Sequence, residues 1–313
     1  YKGNFDGTIQ NSKNPELIFS RTYIGNTLTD FAKDCVPKSV SGNNKVAVTQ
    51  KVVNAYYMND GRTIEEALVT GDYPDVNNLT AADFTTSPST FVPTEVCKIY
   101  ANREPRFYAS IAFNGSIWEC ESASEAQFRQ QQIFYYRDTQ NGKQGFNEDC
   151  PLTGIGFRKY YHKEDAYTNG GYQTRKAEPT IRYAEILLAY AEALNEMEPG
   201  KTYSVDTYTT EPITIQRDAS LIQWAVKQIR FRAGLPDFDK SLVYDNQNNL
   251  RIKLKRERQR EFIGENATRY CDLRRWKDAL IEEDQHIMGC NINKTQIGYI
   301  DFHEPTVVTA VPK

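Results

Sequence analysis

A mainly α protein is what this sequence of 313 residues predicts: helical hairpins of tetratricopeptide type carrying a large loop-rich region with minor β. Three observations point there. Residues 178–197, EPTIRYAEILLAYAEALNEM, are apolar along two sides of a helix. Near residue 176 short apolar segments among Gly, Asn, Pro and Thr give way to long helical periods. The chain also has neither a low-complexity tract nor an apolar run of about 20 residues, so neither disorder nor a membrane-spanning helix competes with this reading.

Residues 1–175 read as a loop-rich display region and 176–313 as a helical scaffold. In the first region the spacing predicts helices over 50–59 and 63–69, and strands over 106–113 and 132–137. Asn114-Gly115 is a turn pair that closes the first of these strands. Many of the 20 tyrosines lie among Asn, Gly, Ser and Thr, as in NAYYMNDG and YTNGGYQT. Such a ring either packs its loop onto a core or offers an amphipathic recognition surface, and composition leaves both open.

In the opening helix Thr180 is the expected N-cap, and Pro199-Gly200 ends the run. One apolar stripe holds Ile181, Ala184, Leu187, Leu188, Ala191 and Leu194; a second holds Tyr183, Ile186, Tyr190, Ala193 and Met197. A narrow polar stripe runs between them, so the helix is expected to pack neighbours on two sides, with alanines permitting close approach. The next helix, DASLIQWAVKQIRFRAGLP, starts at Asp218 or Ser220 and stops at Gly234 and Pro236. There is no exact 34-residue repeat, so the helices are repeat-like rather than an array.

Residues 251–277 carry ten Lys/Arg against four Asp/Glu. A basic helix raises the question of nucleic acid, but the net charge of −3 provides no global field. Glu257, Glu261, Glu265 and Asp272 interleave with Arg258, Arg260, Arg269 and Arg275 at helical spacings. Ion pairing of a structural kind is the expectation, and nucleic acid is excluded as a partner.

The same residues carry a family resemblance. RERQREFIGENATRYCDLRRWKDA resembles the E-R-x-x-E-(F/L)-x-x-E-x-x-R-x-x-D-L-x-R-W signature of the SusD/RagB family, through Glu257, Arg258, Glu261, Phe262, Glu265, Arg269, Asp272, Leu273, Arg275 and Trp276. IRYAEILLAYAEALNE, IRFRAGLP, NREPRFYASIAFNG and VVNAYYMNDG are similar to four further family segments, with Glu104 and Asn54 where Asp is usual. The resemblance reaches almost the whole chain and only the C-terminal part of the family. Members normally carry a signal peptide, a lipidated cysteine and an N-terminal block of helical hairpins. A chain that starts at Tyr1 without these has the mark of a processed or truncated piece. The family implies a bacterial lipoprotein on the outer-membrane surface that captures oligosaccharides and passes them to a SusC-type TonB-dependent transporter. Its contact with the membrane would be through a lipid anchor absent from this chain. Some relatives take peptides or other nutrients, so a peptide- or protein-binding helical module is the alternative.

No catalytic constellation stands out. The three histidines (His162, His286 and His303) form no H-E-x-x-H, and there is no G-x-S-x-G. Asp237, Asp239 and Asp245 lack the spacing of a calcium loop, and the six cysteines that of a zinc site, so neither metal nor cofactor is expected. Cys271, on the charged helix, is expected to be a buried thiol, and disulfides are open if the chain is exported. A paired-carboxylate glycosidase needs two placed acids, and the sequence singles out none. Glycan capture needs aromatic platforms for the C–H face of a sugar, with polar groups around them. The candidates are Tyr23, Phe31, Tyr73 and Trp118 as platforms, with Asn26, Asp30 and Asn43 as polar partners.

Overall fold

The computed structural model describes residues 1–21, 27–144, 150–208, 211–266 and 268–309. Strand β1 (Leu17–Arg21) precedes helix α1 (Thr27–Cys35), and short helices α2 (Gln50–Ala55) and α3 (Ile64–Val69) follow. Thr63 caps α3 in a reciprocal box with Glu66. Helix α2 stops four residues before its expected end. The Arg103 guanidinium captures the Val53 and Tyr56 carbonyls at 2.7 and 2.9 Å, and the Tyr57 amide donates to Glu104 at 3.0 Å. These tertiary bonds replace the next helical turn.

Residues 106–110, the start of the strand expected over 106–113, lie in helix α4 (Pro105–Ser110), because Pro105 occupies its first turn, where a missing N–H costs nothing. Strand β2 (Ile111–Ala112) follows, then β3 (Ser116–Trp118), β4 (Gln131–Ile133) and β5 (Gly156–Phe157). The Asn114-Gly115 turn forms, with Gly115 at φ +92° and a Cβ there 2.6 Å from Val96. It does not close a hairpin, since β2 pairs with β5 and β3 with β4.

Strand β6 (Glu178–Arg182) pairs antiparallel with β1, so helix α5 (Tyr183–Asn195) starts three residues after the expected cap Thr180. Next come β7 (Thr202–Val205) and β8 (Ile213–Gln216), then α6 (Ala219–Arg232), capped by Asp218, and α7 (Gln247–Glu261), capped by Asn246. Helices α8 (Thr268–Trp276) and α9 (Ala279–Glu283) and the short pair β9 (Met288–Gly289) and β10 (Thr306–Val307) complete the described chain. The protein is mainly α, at 37% helix and 13% strand.

Two hydrophobic cores result. One gathers the loop-rich part around Tyr56, Tyr100, Phe107 and Trp118, and takes in Cys290 and Phe302 from the far end of the sequence. The other lies among α5, α6 and α7, where Ala184, Leu188 and Ala191 meet Ile222, Val226 and Leu254. The first stripe of α5, from Ala184 to Leu194, is this buried seam, while Ile181, expected in the same stripe, is exposed in β6. The second is not: Tyr183, Ile186 and Tyr190 are exposed, as are Trp224 and Phe231 on α6. Of the two sides expected to find neighbours, the described residues cover one.

The β7–β8 ribbon stands apart from both cores. Among the described residues it pairs with no other strand. Its register places Tyr203, Val205, Ile213 and Ile215 on one face and Thr202, Ser204, Thr214 and Gln216 on the other.

Candidate functional site

The charged helix supplies the frame of the site. Arg106 of α4, fully buried, contacts Glu104 and Glu257 at 2.7 Å and Glu261 at 2.9 Å. Arg182 reaches Glu16 and Glu261 at 2.6 Å and Glu265 at 2.7 Å. Arg230 and Arg260 meet Glu257, Arg232 bridges Glu16 and Glu261, and Lys159 binds Glu265. Burial alone would raise the Glu261 carboxyl, but Arg232, Arg182 and Arg106 outweigh it and hold the group well below the usual carboxylate range. Against the same cost of burial, Arg106, Arg260 and Arg230 bring Glu257 down to about 2. Ion pairing was legible in the spacing, but its partners were not. Within α7 and α8 the pairs are Arg260–Glu257 and Arg275–Asp272, whereas Arg106, Arg182 and Arg232 reach the glutamates of α7 from other elements. The lattice is a charged seam between the two cores, with every acid committed, so it is frame rather than reagent.

The sequence-derived site residues scatter over this frame. Tyr23 and Asn26 lie outside the described residues. Asp30 is exposed on α1. Asn43 lies beside that helix, its amide donating to Asp34 at 2.7 Å and its backbone N–H to the Lys33 carbonyl at 3.0 Å. Phe31, half-buried, turns its ring to Phe157 and Tyr160, with both centroids at 6.1 Å. Trp118 and Tyr73 are corrections. Trp118 is fully buried under Tyr161 and Arg158, so it offers no face to a sugar. Tyr73 is 6% exposed and sits against Arg103. The tyrosines of NAYYMNDG, Tyr56 and Tyr57, are buried as well. For these rings, packing is the role.

Two of the clefts among the described residues bear on ligand capture. The larger, of about 630 Å³, lies between α2, α3, residues 73–77, α7 and residues 276–288, within the range of small-molecule sites. Asn54, Asn77, Gln259 and Arg256 line it beside Leu68 and Ile287, and Glu282 joins Lys51 and Arg269 at 2.7 and 3.2 Å across it. Its one large ring besides Tyr73 is Trp276. That indole lies between Lys255 and Arg275 and donates to Glu192 at 2.7 Å, so it is already occupied.

His303, at the same cleft, is buried, with Nδ1 at 3.0 Å from the Tyr299 carbonyl. Burial pushes its pKa down to about 4 against the pull of that carbonyl, so the folded protein holds it neutral. An unfolded chain protonates this imidazole from about pH 6.5. The stability that the neutral ring contributes is therefore complete above that pH and lost as pH falls through about 4. The expected loss is about 3 kcal/mol, at roughly 1.4 kcal/mol per unit. Urea melts of the protein and of His303→Gln between pH 7 and 4 check this; the variant should lack that part of the slope.

The second cleft, of about 510 Å³, has the open ring that the first lacks. Phe91, 52% exposed, stacks on Tyr108 with centroids 4.7 Å apart and planes 14° from parallel. Tyr108 is fixed by its hydroxyl, which donates to the Tyr100 carbonyl at 2.8 Å and accepts from the Arg103 amide at 3.1 Å. Buried Val92 anchors the loop beside Phe91. Ser89, Thr90, Glu119 and Arg158 line the same cleft. One face of Phe91 is held by a rigid ring and the other looks outward, as a C–H/π platform requires. Sequence reading passed over Phe91. The signal was there in PSTFVP, an aromatic held between two prolines in a polar stretch.

Among the described residues there is no group of three or more potential metal ligands. Cys35, Cys97, Cys120 and Cys290 are buried free thiols. Cys271 is exposed, against expectation, because α8 turns that side of its surface to solvent. Among the described residues no helix is long and apolar enough to cross a membrane.

A model of the SusD family matches residues 12–308. Among solved structures the chain is similar to a SusD-like protein from Bacteroides fragilis, at 26% identity and TM-score 0.62, over 93% of this chain and 48% of that one. It is also similar in fold to a SusD-like carbohydrate-binding protein from the same species, at 20% identity and TM-score 0.62, over 92% of this chain and 47% of the other. The chain thus spans about half the length of these structures. No match was found among curated proteins.

Proposed function

The chain belongs to the SusD family, and from that premise we propose that it captures oligosaccharides without catalysis, at the bacterial cell surface, for import through a TonB-dependent transporter. One observation carries the reading from family to ligand: the outward face of Phe91, stacked on an anchored tyrosine at the mouth of a polar cleft. Two further points support it. A protein of similar fold is described as carbohydrate-binding. The acids of the frame are tied up in ion pairs, so they offer no free pair to a glycosidase. Asp30 on α1 and Asn43, which is bonded to Asp34 of the same helix, are the second proposed contact surface, with Tyr23, Asn26 and Phe31 near Asp30 in sequence.

The test is calorimetry of this chain against plant, host and microbial glycans, with a reducing-sugar assay on the same samples. Saturable binding is expected, with Kd on the order of micromolar to millimolar, because each hydroxyl exchanges water for protein at little net gain. Asp30→Ala and Asn43→Ala should weaken it if the α1 surface takes part. Steady release of reducing ends would overturn the non-catalytic reading. Binding of peptides with no response to any glycan would favour the peptide-binding alternative.

A further inference from the structure

Resting on the glycan reading, we infer that the Phe91 cleft selects anionic saccharides, with the sugar ring lying on Phe91 and its acidic group directed to Arg158 and Arg232. The chemistry of the walls separates this cleft from the larger one. Its charged lining is Lys2, Arg158 and Arg232 against Glu119 alone, whereas the larger cleft has more carboxylates than cations. The Arg232 carboxylate partners, Glu16 and Glu261, are shared with Arg182, so they do not neutralise it fully.

Arg158 is a built feature. It is 7% exposed and lies over the rings of Trp118 and Tyr161, at 5.2 and 5.4 Å. One terminal nitrogen donates to the Ile117 carbonyl at 2.9 Å and the other to Glu119 at 3.1 Å. Its Nε has no partner, and neither does that of Arg232. Two buried guanidinium N–H groups without acceptors in the lining of one cleft are costly unless something supplies the acceptor. Planar forks of this kind suit carboxylate and sulfate oxygens. The surroundings agree: burial and the neighbouring Arg158 push Lys2 down to about 8, and Glu119, despite burial, is held low by Arg158 and Lys2. Lys2 thus still carries its charge at neutral pH.

Carboxylate and sulfate share this chemistry, so the experiment carries both. The chain is titrated by calorimetry with oligogalacturonate, with a sulfated galacto-oligosaccharide and with the neutral galacto-oligosaccharide of equal length, at low and at physiological salt. At least one acidic arm should bind at least tenfold tighter than the neutral arm, and that preference should shrink as salt rises. Phe91→Ala, with its urea midpoint measured alongside as a check on folding, should weaken the acidic arm by about tenfold. Glu119→Gln, which removes the one lining carboxylate, should tighten the acidic arm relative to the neutral one, and a weaker preference for the acidic arm overturns the inference. Equal affinity for neutral and acidic sugars, or indifference to Phe91→Ala, overturns the inference and leaves glycan capture standing. Silence toward all three, and toward the wider panel, overturns both.

Discussion

Glu261→Ala is expected to destabilise the protein by about 3–5 kcal/mol in urea denaturation, the usual cost of breaking a buried charge pair from one side. Glu261 is fully buried at the C-terminal end of α7, where the helix dipole disfavours a carboxylate. It is kept there by Arg106, Arg182 and Arg232, from α4, β6 and α6. Truncation leaves three guanidinium groups short of a partner between the two cores. The control is Glu282→Ala. That residue also pairs twice, with Lys51 and Arg269, but its side chain is 37% exposed, and the expected loss is under about 1 kcal/mol. Equal losses for the two variants would mean that the lattice does not hold the cores together. Domain stability is typically about 5–15 kcal/mol, so the first loss is large enough to lower the yield of folded protein as well.

Trp118→Ala carries a similar expectation, about 3–5 kcal/mol, for a different reason. The indole is fully enclosed, with Tyr161 edge-on at 4.5 Å and the Arg158 guanidinium over its face. Removing it opens a cavity that the small paired strands β3 and β4 are poorly placed to close. Trp118→Phe, which keeps a ring beneath Arg158, should recover most of the loss. A ligand platform would give the reverse pattern: an unchanged urea midpoint and lost glycan affinity. Equilibrium unfolding of both variants, monitored by circular dichroism, distinguishes the two.

The helical part was legible because local signals and tertiary demands coincide there. The first stripe of α5, Asp218 before α6, and Gly234 and Pro236 after it can be read from sequence and found in the fold. The misread boundaries are places where a distant group outbids the local signal. Arg103 ends α2 early, and pairing with β1 draws residues 178–182 into a strand. The site was harder to read. Tyr73 and Trp118 fit the composition of a platform, yet composition does not say which way a ring faces. Phe91 announced itself only through its flanking prolines, and the pairing of Arg106 with glutamates some 150 residues away leaves no trace in spacing.

The β7–β8 ribbon offers a practical handle on the molecule. Thr202 and Gln216 close its base, and its tip near Tyr208 is fully solvated. A peptide tag or dye-acceptor sequence spliced between Asp206 and Tyr208 would lengthen a loop that is already closed, at a cost of about 0.6 kcal/mol per doubling of its length. Such a graft leaves both clefts and the charged seam untouched. It provides an optical reporter on the segment that joins α5 to α6, against which movement of the Phe91 loop on ligand uptake becomes measurable by energy transfer.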